Sequence, residues 1–230
     1  MVFDYFYPKK TAAALPYMMI KYVLFDFDGT LVDSRAAVIM AFNQIAGKYG
    51  FKTITTEDLE HLHGLSMIDR FRFLGIPLYR LPFLRSELLQ IYHRQLQEVS
   101  LVPGMDAVIR DIRNKGLRTG IVSSNQTEII ETVLNAHDIV MDDIYCSGRF
   151  FGKDRVFRRV LKEQKLQPQE VLYICDEQRD IDACKKVQIT PVWVSWGFER
   201  AAVLEDVLSV CKIDEPAALL ELIAGYNAAQ

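Results

Sequence analysis

Asp26 and Asp28 stand one residue apart at the end of the apolar run Lys21-Tyr22-Val23-Leu24-Phe25, with Gly29 and Thr30 behind them. β-Branched and aromatic residues in so short a run read as a strand buried on both faces, as in a parallel sheet. Residues two apart on an extended segment point the same way, so both carboxylates are expected to project together beyond the strand's carboxyl end. Ligands bind at that end in open α/β sheets. Paired carboxylates repel, and the arrangement becomes favourable with a cation or a shared proton between them. Such a pair suits Mg²⁺ binding, or a nucleophile beside an acid/base. An Asp-rich turn after a strand is the bland alternative.

Three further loops carry matching chemistry. In Thr119-Gly120-Ile121-Val122-Ser123-Ser124-Asn125 hydroxyls stand just ahead of a helix, where free N–H groups hold phosphate oxygens. Ser123 is assigned to phosphate, while Ser124 or Asn125 also suits a helix cap. Lys153 opens a helix after Phe150-Phe151-Gly152. Its cation opposes the helix dipole but offsets nearby acids and a phosphate. Val171-Leu172-Tyr173-Ile174-Cys175 is a second apolar strand ending in Asp176, with Asp180 four residues on. Carboxylates from two adjacent strand ends can share one Mg²⁺, which favours a few oxygen ligands and retained water. Glu177 and Asp182 are expected only as acids favoured at a helix start.

The elements that must position these residues alternate. Strands are expected at 117–122, 144–146, 171–175 and 191–194, and helices at 105–115, 126–136, 155–165, 181–187 and 201–210. Alternation with short connections predicts an α/β fold: a Rossmann-like, mostly parallel sheet covered on both faces. One stretch departs from it. Residues 35–101 show no convincing strand, only helical segments at 36–49, 57–62, 67–74 and 84–99, punctuated by Pro77 and Pro82. This predicts an all-α cap at 35–101 inserted into a core of 19–34 and 102–230, hanging over the first acidic loop as a lid. Between His61 and Gln97 lie Arg70, Arg72, Arg80, Arg85 and Arg94 with His61, His63 and His93, against Asp69 and Glu87. Singly these read as a solvated helix face; together they suggest a lid that attracts an anion. His63, Ser66 and Arg70 are the candidates there for substrate contact.

The 230 residues carry a net charge of −3, half of them hydrophobic and a quarter charged, as in an ordinary soluble enzyme. Neither nucleic acid nor membrane is expected as a partner. The four cysteines show no C-x-x-C spacing and read as reduced thiols. Residues 1–18 read as a non-catalytic extension: Lys9-Lys10 before an Ala-rich run hints at a signal peptide, but Pro16 and Tyr17 interrupt it. A cytoplasmic protein, monomeric or weakly dimeric, is the expectation.

Asp26-Phe27-Asp28-Gly29-Thr30, Ser123, Lys153 and the Asp176/Asp180 pair, in that order at strand ends, resemble the four motifs of the haloacid dehalogenase superfamily. The resemblance spans about residues 21–197, and Leu31-Val32-Asp33-Ser34 resembles the phosphoglycolate phosphatase branch. It implies that Asp26 attacks phosphorus and becomes an aspartyl phosphate. Asp28 would protonate the leaving oxygen and then activate water. Ser123 and Lys153 would bind the phosphoryl group, with Gly29, Thr30, Ser124, Asn125, His63 and Arg70 around the substrate. Mg²⁺ would be held by Asp26, the main-chain carbonyl of Asp28 and Asp176, with Asp180 in support. A small anionic phosphomonoester such as phosphoglycolate is the implied substrate. A phosphomutase resembling β-phosphoglucomutase and a non-catalytic binding protein are the rival readings. Two departures stand out: Cys175 where the family usually has glycine, and Asp154 where proline often follows the lysine. Cys175 is read as a buried strand end or, more weakly, as a partly exposed thiol open to oxidation beside the metal.

Overall fold

Tyr22–Phe25 (β1) has no solvent-accessible residue. Its period of two divides the core. Val23 and Phe25 join Ile109, Ile112, Ile129 and Ile223 on one face, while Tyr22 and Leu24 join Phe157, Val160, Ile181 and Trp193 on the other. Each such side chain contributes about 1.5–3 kcal/mol on full burial. These contacts come from a computed structural model that describes residues 19–203 and 210–228.

β1 sits third in a six-stranded sheet. Its companions are Arg118–Ser123 (β4), Asp143–Cys146 (β5), Val171–Cys175 (β6), Thr190–Val194 (β7) and Cys211–Ile213 (β8), in the order β5-β4-β1-β6-β7-β8. Every pairing in it is parallel. Consequently all the carboxyl ends of β1, β4 and β6 emerge on one edge, with β1 between the other two. Helices Met105–Asn114 (α5), Thr127–Ala136 (α6), Lys153–Gln164 (α7), Gln178–Lys185 (α8) and Ala218–Ala228 (α9) belong to this core.

The four strands and first four core helices expected from the sequence are present within a few residues. β8 and α9 are additions to that reading. Of the helix expected at 201–210, residues Ala201–Val203 form one turn of 3₁₀ helix, and 204–209 lie outside the described residues, as does the extension at 1–18.

Between Val32–Asp33 (β2) and Ser100–Leu101 (β3) lie helices Arg35–Tyr49 (α1), Thr56–His63 (α2), Met67–Phe73 (α3) and Leu81–His93 (α4), a helical cap. The expected helix at 84–99 is corrected at both ends. Pro82 occupies the first turn of α4, where its missing N–H has no partner to lose, so it starts the helix rather than breaking it. At the other end the helix stops at Arg94, and Leu96–Glu98 is a separate turn. The cap is also not strand-free. β3 pairs antiparallel with β2, Val32 against Leu101 and Asp33 against Ser100, so the two crossings between cap and core form one short ribbon.

Candidate active site

The carboxyl ends of β1, β4 and β6 place Asp26, Ser123 and Asp176 side by side, all nearly inaccessible to solvent. Asp26 Oδ1 accepts the N–H of Phe27 at 2.7 Å, and Oδ2 lies 2.7 Å from Lys153 Nζ. Lys153 is the first residue of α7, and its ammonium also meets Asp180 Oδ2 at 2.7 Å and Tyr173 Oη at 2.8 Å. Tyr173 in turn donates to the Val122 carbonyl, so a buried tyrosine on β6 fixes the height of the lysine. Burial holds the Asp26 carboxyl well above the usual carboxylate range against the pull of Lys153, with Asp180 adding to the rise. Asp180 is pushed up by burial too, but Lys153 and Arg179 outweigh it and leave it below the ordinary value. Lys153 loses charge stability to burial and regains more from Asp180 and Asp26, a net rise.

Asp28 points elsewhere. Tyr92 Oη on cap helix α4 donates to its Oδ1 at 2.8 Å, and Asn125 Nδ2 donates to its Oδ2 at 3.0 Å. Cap and core therefore hold this side chain jointly. Asn125 also donates its N–H to Ser123 Oγ, turning the loop after β4 inward.

One oxygen each from Asp26, Glu177 and Asp180 lies within 4.8 Å of the others, all three residues buried. Three hard carboxylate donors at this spacing fit a cation of the Mg²⁺ type. Asp176, expected in the ligand set, is not in that group of carboxylates, and Glu177 is; Asp28 was expected through its main-chain carbonyl, while its carboxylate is held by Tyr92 and Asn125. The Asp176 carboxylate accepts Thr30 Oγ1 at 3.0 Å and the Phe198 N–H at 2.6 Å, and burial pushes it up to about 7 with help from Glu177. Glu177 also holds Arg179, and Arg70 lies 3.7 Å away. Glu199, pushed up to about 8 by burial and Glu177, accepts the Gln178 N–H beneath them.

Gly29 and Thr30 brace this wall and do not line the cavity beneath the cap. At Gly29, φ is 77°, and an added Cβ would lie 2.5 Å from both Asp176 Oδ2 and the Phe198 ring. Gly29→Ala is expected to cost about 2 kcal/mol or more, from strained backbone plus the clash. Gly50→Ala has φ 73° and open space around the new Cβ, so it isolates the backbone share. Equal losses for the two in urea titrations would show that the Asp176–Phe198 packing is slack.

Beneath the cap lies a cavity of about 200 Å³ lined by Asp26, Asp28, Tyr92, Ser124 and Asn125 together with apolar cap side chains. Of the basic cluster read from the sequence, Arg70 and Arg85 reach this cavity; His61, Arg72, Arg80, His93 and Arg94 are exposed on the cap. His63 does not line it: its carbonyl accepts the Arg200 N–H, and burial with Arg70 lowers its imidazole pKa. Ser66 caps α3 by accepting the Asp69 N–H. Cys175 is wholly buried with ordinary backbone, and burial pushes its thiol well up, so an exposed, oxidisable thiol is corrected.

Residues 23–194 match the sequence profile of the haloacid dehalogenase-like hydrolases. The chain belongs to that family. A phosphoglycolate phosphatase of Synechococcus elongatus is 30% identical over 207 residues, covering 87% of this chain and 96% of the relative. Among solved structures, a haloacid dehalogenase-like family hydrolase from Streptococcus pneumoniae matches with TM-score 0.74 at 20% identity, over 88% of this chain and 98% of its own. A β-phosphoglucomutase from Clostridium difficile matches with TM-score 0.68 at 23% identity, over 92% of this chain and 98% of its own. At these identities the two structures speak to the fold. The haloacid dehalogenase-like hydrolase described here is thus an enzyme whose relatives include phosphatases. Among its described residues no helix is long and apolar enough to cross a membrane.

The sequence reading missed Tyr92, Tyr173 and the 196–198 loop, took Glu177 only as a helix-start acid, and had Arg85 only as one member of the basic cluster. Of the three missed outright only the loop left a signal, in Trp196, Gly197 and Phe198 just after the apolar strand that ends at Val194.

Proposed function

We propose that the protein is a Mg²⁺-dependent phosphatase that hydrolyses a small phosphomonoester through an aspartyl phosphate on Asp26. The observation that carries this reading is that Asp26 and Asp28 both line the cavity beneath the cap, while Lys153 compensates charge at Asp26 from behind. In the first step an Asp26 oxygen attacks phosphorus, the ester P–O bond breaks, and Asp28 gives its proton to the departing oxygen. In the second, Asp28 takes a proton from water, which attacks the aspartyl phosphate and returns Asp26 with inorganic phosphate. Ser123 and Lys153 lie behind the cavity lining, so in this proposal the ammonium compensates the phosphoryl charge through Asp26 while Ser123 Oγ fixes the loop that carries Ser124 and Asn125 to the cavity. Tyr92 and Asn125 aim Asp28. Mg²⁺, when bound, supplies further compensation for the phosphoryl oxygens. Its proposed ligands are Asp26, Glu177 and Asp180.

The name of the Synechococcus relative makes phosphoglycolate the first substrate to try. The division of the chain into core and cap at 34/35 and 101/102 is part of the same proposal, and the β2–β3 ribbon supports it. The apolar cavity lining favours hydrolysis over the phosphomutase reading, which needs polar groups for sugar hydroxyls. The test is phosphate release from a panel of small phosphomonoesters with Mg²⁺ and with a chelator. Metal-independent release, or none from any ester, would overturn the reading.

The metal assignment has its own check. Glu177→Gln is expected to raise the half-saturating Mg²⁺ concentration about tenfold or more, as loss of a charged ligand does. Asp176→Asn should move it less, since that carboxylate is occupied by Thr30 and Phe198. The reverse order in Mg²⁺ titrations would return the metal to Asp176.

A further inference from the structure

The cavity that reaches Asp26 and Asp28 is walled mainly by Phe42, Phe71, Leu88, Leu89, Phe150 and Phe198. Its volume of about 200 Å³ holds the phosphoryl group against Asp26 and leaves the apolar remainder to the leaving group. A dry apolar cavity of roughly 150 Å³ takes a benzene ring, so this one is built for a body of about one ring. A small polar leaving group here would leave most of the apolar wall facing trapped water.

Three guanidinium groups also line the cavity, and two are spent. Arg70 donates to the carbonyls of Leu62 and Phe198 and lies near Glu177. Arg179 pairs with Glu177 and donates to the Phe150 carbonyl. Arg85 differs. It donates to the Ser124 carbonyl, its Nε is buried with no partner, and among the described residues it has no carboxylate counter-ion. A half-buried guanidinium without an anion is costly unless a ligand supplies one. Arg85 and Tyr92 lie two turns apart on one face of α4, about 10 Å along the axis. Tyr92 touches Asp28, which faces the leaving oxygen. A leaving group laid along α4 therefore begins at Asp28, runs past Leu88 and Leu89, and ends at Arg85.

We infer that the substrate is a phosphorylated hydroxy acid whose body is apolar and about the size of one ring, with a distal carboxylate paired by Arg85. This rests on the phosphatase reading and names its substrate class. Arg85 is a specificity-determining residue, and the planar fork of its guanidinium matches a carboxylate.

The experiment compares para-carboxyphenyl phosphate, phenyl phosphate and phosphoglycolate as substrates of wild type, Arg85→Gln and Arg85→Lys. In parallel, binding of para-carboxybenzylphosphonate and benzylphosphonate is measured by calorimetry. In wild type the carboxylated aryl ester should lead phenyl phosphate at least about tenfold in kcat/KM, through KM, as a charge-assisted hydrogen bond allows. Arg85→Gln should shrink that lead to about twofold or less, and Arg85→Lys should restore part of it. Both aryl esters should outrun phosphoglycolate. Phosphoglycolate as the best substrate, or a carboxylate preference that survives Arg85→Gln, would overturn the inference and leave the phosphatase reading intact. Arg85-dependent phosphonate binding without turnover of any ester would overturn the phosphatase reading and keep Arg85 as the carboxylate site of a ligand that is not a substrate. Absence of both binding and turnover would overturn both.

Discussion

Asp26→Asn is expected to reduce Mg²⁺-dependent phosphate release at least about ten-thousandfold while leaving the protein as stable as before, or more so. The amide is nearly the same shape and can still accept the Phe27 N–H through Oδ1, so the strand end keeps its turn; its NH2 then faces Lys153, which retains Asp180 and Tyr173 as acceptors. What it loses is nucleophilicity. What it relieves is the crowding of three buried acids, Asp26, Glu177 and Asp180, around one lysine. Asp26 is the member whose charge the site tolerates least, since burial and Asp180 both raise its pKa. Steady-state phosphate release and thermal melting, measured on the same preparation, check the two halves. Turnover within about a hundredfold of wild type would remove Asp26 as the nucleophile, because loss of a covalent catalyst costs far more.

Lys153→Met is expected to abolish activity and to destabilise the fold by about 3–5 kcal/mol, the usual cost of leaving buried acids without their cation. For a domain of this size that is a fall of very roughly 10 °C in melting temperature. The cause lies in the ammonium's three contacts, with Asp26, Asp180 and the Tyr173 hydroxyl, within a fully buried pocket. The attribution is separable from mere mispacking. If repulsion among unpaired carboxylates is the cause, Lys153→Met combined with Asp26→Asn should regain a substantial share of the loss, a coupling expected of residues in one network. Additive losses would mean that the lysine's aliphatic stem, not its charge, supports the site. Lys153→Arg cannot substitute, because its planar fork does not fit the geometry that a compact ammonium meets.

The core was legible because its strands are buried on both faces, which writes them as unbroken apolar runs; β1 and β6 are of this kind. β8 was not, since its middle residue, Lys212, is exposed at the sheet edge and its run is only Cys211–Ile213. The two-residue strands β2 and β3 leave no periodicity at all. At the site, Asp26, Asp28, Ser123, Lys153 and Asp180 were each found from one local rule, a polar residue at a strand end or helix start. Glu177 was not, because neighbouring residues at a strand end point to opposite sides and a spacing argument cannot tell Asp176 from Glu177. Tyr92 lies still further out of reach, and Arg85 could be read only as one of the five arginines between His61 and Gln97. Whether a cap helix turns a given side chain inward depends on how it lands on the core, and nothing within α4 itself encodes that.

The β2–β3 ribbon makes the cap a detachable part. The chain departs at Asp33 and comes back at Ser100 directly opposite. Paired residues of antiparallel strands are only about 5 Å apart, a gap that a tight two-residue turn closes. A mutational event that swaps, enlarges or deletes everything between those two residues therefore leaves the hydrogen bonding of the parallel sheet untouched. One segment, entering through a single doorway, can in this sense be exchanged for another without re-registering a strand below it, and the newcomer has to bring its own partner for Asp28 in place of the Tyr92 hydroxyl.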